Sequence, residues 1–119
     1  MKSPSDEYLF KCKDYFLRNI IPALSIQKQD SNFSEINELA NEIVHSRGQD
    51  VFAGFLQEYH YLVQLWTAHL LILRSDISEE LKAECILMIR HYTENPLAPE
   101  VAEEELLWLQ KFYPNATNL

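Results

Sequence analysis

"YLVQLWTAHLLIL", residues 61–73, is the most apolar run in the chain, and its reading decides the fold. The run lies between Glu58 and Arg74, and Gln64 and His69 interrupt it. A helix that crosses a bilayer needs about 20 apolar residues, so this run reads as a buried core helix. Followed upstream, its periodicity predicts one long helix from Val51 to Leu73, capped by Asp50 and spanning roughly 35 Å at 1.5 Å per residue. The densest face of that helix holds Phe52, Phe55, Leu56, Tyr59, Leu62, Val63, Trp66, Leu70 and Leu73. Gln57, His60, Gln64 and Thr67 make the other side only mildly polar. A helix this apolar belongs at the centre of a bundle.

The flanking sequence reads as further helices. Ser3 as cap and Pro4 at the first helical position open a helix over 4–21, stopped by Pro22. It buries Tyr8, Leu9, Cys12, Tyr15, Phe16 and Ile20. "QKQDSN" reads as a polar loop, and a second helix over 33–47 ends at Gly48. Its inward residues are Phe33, Ile36, Leu39, Ala40, Ile43 and Val44. Ser78 caps a helix over 79–94 that buries Leu81, Cys85, Met88, Ile89 and Tyr92. "NPLAP" breaks the chain before a last helix over 99–113. The fold expected is therefore all-α: one domain over 1–119, a bundle of four to five helices around a long central one.

Composition narrows function. Eighteen acidic and ten basic residues leave a formal charge of −8, and nearly half the chain is apolar. A field of that sign repels phosphate backbones and anionic lipid, so it disfavours nucleic-acid and membrane binding and favours basic protein partners. The start of the chain turns polar where a secretory signal needs an apolar stretch, which points to the cytoplasm. Cys12 and Cys85 fall on apolar stripes and read as buried thiols. "NAT" at 115–117 fits a glycosylation acceptor, an incidental match without a secretory signal.

Catalytic patterns are missing. Two glycines cannot build a phosphate loop, and no nucleophile elbow occurs. One Glu-x-x-His, Glu42 to His45, is present where a di-metal carboxylate bundle needs two, so no metal or cofactor is expected. His60, His69 and His91 read as hydrogen-bonded core or surface residues. His91 shares its helix face with Glu80, Glu84 and Leu87.

Charge placement says more. Glu35, Glu38 and Glu42 fall within about a sixth of a turn of one another at 100° per residue, with no lysine at i+4 to any of them. They read either as a solvated face or as a patch for a cation-rich partner. "PEVAEEELLWLQKFYP", residues 99–114, poses the same choice. The helix dipole favours Glu100 and Glu103 in the first turn without any partner. Leu107, however, lies between Glu103 and Glu104 on the helical wheel, with Lys111 one turn on, away from Val101, Trp108, Leu109 and Phe112. An apolar centre in an acidic rim is the pattern of a binding patch for a basic protein. On the first helix, Phe10, Leu17 and Ile21 line a second apolar stripe, suited either to burial within the fold or to self-association.

The acidic row Glu35, Glu38 and Glu42, the carboxylates around Leu107, and aromatic stretches such as "EYHYLVQLW" give the chain a resemblance in kind to small helical bacterial immunity proteins. These neutralise colicin-like or contact-delivered toxins. "FYP" at 112–114 is similar to a tyrosine-bearing turn of the colicin nuclease immunity proteins, but here it follows the last helix instead of joining two. No residue role is carried over. The resemblance implies a non-catalytic protein that blocks a basic, nuclease-type toxin. The partner-binding set expected is Glu35, Glu38, Glu42, Glu100, Glu103, Glu104 and Leu107. A helical assembly subunit that dimerises through Phe10, Leu17 and Ile21 is the alternative, and a small helical enzyme using His60 or His69 is a third.

Overall fold

Ser3 begins the first helix as expected, its hydroxyl accepting from the Asp6 N–H at 3.2 Å, with Pro4 in the first turn. This helix, α1 (Pro4–Leu17), stops four residues short of the sequence expectation. The cause is Asn19, which takes a left-handed conformation (φ 60°). Ile20 N–H then bonds back to the Tyr15 carbonyl at 2.9 Å, and Asn19 N–H to Phe16 at 3.1 Å, the Schellman way of closing a helix. Pro22 starts another helix, α2 (Pro22–Lys28), which the sequence reading did not foresee and which takes in the first two residues of the expected loop QKQDSN.

Asp30 caps α3 (Ser31–Arg47), accepting from the Phe33 N–H at 3.0 Å, and Gly48 at φ 100° ends it. Burial pushes the Asp30 carboxyl up, but hydrogen bonds from Ser25, Phe33 and Asn32 outweigh it and leave the group below its ordinary value.

The long helix expected over 51–73 is two pieces. α4 (Gln49–Ala53) runs into a 3₁₀ turn at Gly54–Gln57, the chain breaks over 58–62, and α5 (Val63–Ile72) follows. Side chains make the break possible. Glu58 accepts from both the backbone N–H and Nδ1 of His60, at 3.3 and 2.7 Å, which holds its carboxyl below the usual range. Gln64 Nε2 donates to the Leu56 carbonyl at 2.8 Å, satisfying a group the interrupted helix leaves open. Tyr61 and Leu62 both adopt positive φ, 54° and 59°. Leu62 is buried as expected, whereas Tyr59, within the break, and Leu73, at the end of α5, were expected on the buried face and are exposed.

Two more helices complete the fold. α6 (Glu79–Thr93) is capped by Ser78 Oγ, which accepts from Leu81 N–H at 3.1 Å, and α7 (Pro99–Phe112) starts at its proline. A 3₁₀ turn at Pro114–Thr117 follows. The computed structural model describes residues 3–95 and 98–117, so part of the expected break around 95–99 lies outside the described residues. Among the described residues there are seven α-helices and no strand. The radius of gyration, 13.5 Å, is that of a compact chain of this length, about 13.5 Å.

Nine of the ten residues of α5 are buried. It packs against α1, α2, α4 and α6, while α3 joins through α1, α2 and α4, and α7 through α2 and α6. Three of its buried residues are polar, and each is bonded to a different neighbour. Thr67 Oγ1 shares a 2.8 Å hydrogen bond with Tyr8 of α1. Gln64 Oε1 accepts from Tyr92 of α6 at 2.9 Å. His69 Nε2 meets Glu105 of α7 at 2.6 Å. Apolar contact alone lets a smooth helix slide or turn, whereas these bonds are satisfied in one register only. Cys12 and Cys85 are buried free thiols.

Candidate protein-binding surfaces

Glu105 is the residue sequence reasoning missed. It ends a run of three glutamates, yet its side chain is fully buried while Glu103 is exposed. Oε1 takes the His69 contact and Oε2 accepts the Ala23 N–H at 3.0 Å, so the carboxylate also closes the start of α2. His69 Nδ1 is buried with no hydrogen-bond partner among the described residues. An N–H there would be an unpaired buried donor, so the proton belongs on Nε2, donating to Glu105. The Trp108 ring meets the imidazole edge-on at 4.5 Å. The signal was available in the spacing. Glu105 is i+4 from Val101, i−3 from Trp108 and i−4 from Leu109, all on the inward face.

The remaining carboxylates of α7 face outward. Glu100 and Glu103 are exposed, Glu104 is half-buried, and Leu107 keeps 51% of its surface exposed. Lys111 sits 5.3 Å from the Phe112 ring centre. No cation lies within 4 Å of Glu100, Glu103 or Glu104 among the described residues. Residues 100, 103, 104 and 107 are spaced i, i+3, i+4 and i+7, which sets them on one face.

The α3 row is exposed at Glu35, Glu38 and Glu42, but it has an internal cation after all. Lys11 of α1 reaches Glu35 at 3.3 Å. Spacing within one helix could not show a partner from another. Glu38 and Glu42 have none within 4 Å among the described residues, and with Asn41 and His45 they line a shallow concavity. No cluster among the described residues could hold a metal ion.

Phe10 and Leu17 are exposed, by 60% and 65%, but Ile21 does not continue their stripe. The helix has ended before it, and Ile21 is the half-buried residue that precedes α2. Phe16, expected inside, is 44% exposed and stacks edge-on against Tyr61 at 5.6 Å. The 58–62 break thus adds aromatic surface beside α1 that periodicity did not reveal.

Both histidines of interest touch carboxylates. The His69–Glu105 contact is sealed from solvent, and the exposed His60–Glu58 contact joins residues of one local turn. His91 is exposed against the Tyr92 ring. Among the described residues, no helix is long and apolar enough to cross a membrane. No family model, curated protein or solved structure matches the chain.

Proposed function

We propose that the chain is a non-catalytic binding protein of the cytoplasm, a helical bundle built about α5, that neutralises a basic protein partner. An immunity protein against a nuclease-type toxin is the specific form we favour. A toxin that cuts nucleic acid needs a cationic cleft for phosphate, and an acidic helical face is the complement of such a cleft. The observation that carries the reading is Leu107: an exposed leucine, one turn before Lys111, on a helix face with Glu100, Glu103 and Glu104, none of which has a cation within 4 Å among the described residues. In this arrangement the carboxylates steer and the leucine supplies the desolvated anchor. Glu38 and Glu42 on α3 form a second acidic patch. The mechanism calls on no cofactor.

Capture from the native cell with three baits tests this. The baits are the wild type, the variant Glu35→Lys/Glu38→Lys/Glu42→Lys, and the variant Glu103→Lys/Glu104→Lys/Leu107→Ala. The reading expects one basic protein retained by the wild type and lost with at least one variant, while circular dichroism stays unchanged. Equal retention by all three contradicts it.

Exposure of Phe10 and Leu17 favours a second reading, an assembly subunit that dimerises through α1. Light scattering separates the two, since the second requires a dimer that Phe10→Glu dissociates.

A further inference from the structure

The end of α1, the start of α2 and the start of α7 converge on an open cleft of about 320 Å³. Phe16, Ile20, Ile21, Leu62, Pro99 and Val101 make its walls apolar. Two non-glycine residues in left-handed backbone conformation, Asn19 and Leu62, border it. Asn19 turns the chain out of α1 so that Ile20 and Ile21 line one side, and Leu62 turns it into α5. The volume is at the low end of those that hold small ligands, about 300–1,000 Å³, and suits a single large side chain.

Charge selects what enters. Among the described residues, Glu100 is the charged residue of the lining, it is exposed, and no Lys, Arg or His lines the cleft. Glu100 is also the first member of the α7 face that continues through Glu103, Glu104 and Leu107. The cleft and the acidic face are therefore continuous through one shared carboxylate.

We propose that this cleft receives an apolar side chain of the partner, a leucine, methionine or phenylalanine, set beside a lysine or arginine whose cation meets Glu100. The assignment rests on the functional reading above and adds the anchor's place and chemistry. Burial of the apolar group supplies the hold, and the neighbouring cation supplies the selectivity against acidic or neutral segments.

Phenethylammonium and 3-phenylpropionate carry the same aromatic ring on opposite charges, so they separate apolar fit from charge. Each is titrated into the ¹⁵N-labelled full chain while backbone amide shifts are followed. The proposal expects phenethylammonium to shift the amides of Asn19, Ile20, Ile21, Leu62 and Val101. It should bind at least about threefold tighter than 3-phenylpropionate. Glu100→Gln, an exposed substitution that leaves the fold intact, should weaken the cation about two- to fivefold and leave the anion unchanged. Shifts by the cation confined to Glu35, Glu38, Glu42, Glu103 and Glu104 overturn the cleft assignment and leave the acidic-surface reading standing. Equal binding of cation and anion, unaltered in Glu100→Gln, overturns the proposal and leaves the acidic-surface reading to the capture experiment. Shifts at the cleft that grow with protein concentration alone place a second copy there and overturn the proposal.

Discussion

Glu105 shows how far one residue's environment departs from its local sequence. Glu103, Glu104 and Glu105 look alike in the sequence, yet two positions separate an exposed carboxylate from a buried strut joining α2, α5 and α7. Removing Glu105 leaves two buried donors unpaired, His69 Nε2–H and Ala23 N–H, at about 1–3 kcal/mol each. Glu105→Ala should lose about that much stability in denaturant melts. Glu105→Gln, which keeps an acceptor for Ala23 N–H, should lose clearly less. Equal, small losses in both would show that the pair does not hold the helices together. The burial of Glu105 was legible from its i−3 and i−4 spacing to Trp108 and Leu109. Its partner was not, because His69 is 36 residues away and only the packed fold brings them to 2.6 Å.

At the scale of elements, periodicity identified the all-helical class but missed α2 and the interruptions. Caps at Ser3 and Ser78 and the proline start of α7 are local chemistry, and each stands where the sequence put it. The breaks at Asn19 and at 58–62 fall in stretches whose apolar pattern continues straight through, so a helical wheel cannot detect them. What ends α1 is a backbone state that asparagine tolerates better than most residues. Asn19→Val forces a β-branched side chain into left-handed geometry and should destabilise the fold by about 1–2 kcal/mol. Asn19→Gly should be neutral or slightly stabilising. A neutral Asn19→Val in thermal melts would mean that α1 can run on toward Pro22, erasing one wall of the cleft. The same limit explains which of the expected surface residues kept their places, in the acidic rows and in the separate stripe on α1. Leu107 and the α7 carboxylates were placed by spacing within one helix, and their outward direction stands. Ile21 was placed by spacing carried across a break and left the stripe. Lys11 escaped notice as a partner for Glu35 because the two sit on different helices.

For the whole molecule, buried polar groups and surface charge set distinct pH and salt responses. Burial pushes the Cys12 thiol up to about 12, against a smaller downward pull from Tyr8, and Cys85 to about 12 with some help from Glu84. Tyr8, Tyr15 and Tyr92 are raised as well, first by burial. Acids raised on folding contribute their stability in full below their unfolded values, about 8.5 for cysteine and 10 for tyrosine, and lose it as pH rises toward the native ones. Stability should therefore fall progressively above about pH 8.5. Both thiols should resist a thiol reagent at pH 8 until denaturant is added. Rapid labelling of the native protein would contradict their burial. At neutral pH the dominant whole-molecule property is instead the charge of −8, which acts over a Debye length of about 8 Å at physiological salt.

The central claim is that this negative surface exists to meet a cation-rich protein, and the salt dependence of association tests it most directly. The rate should be followed by stopped flow with the protein captured from the native cell, between low and high ionic strength. Electrostatic capture predicts a fall of roughly tenfold or more, with the dissociation rate little changed. An association rate indifferent to salt would contradict the account.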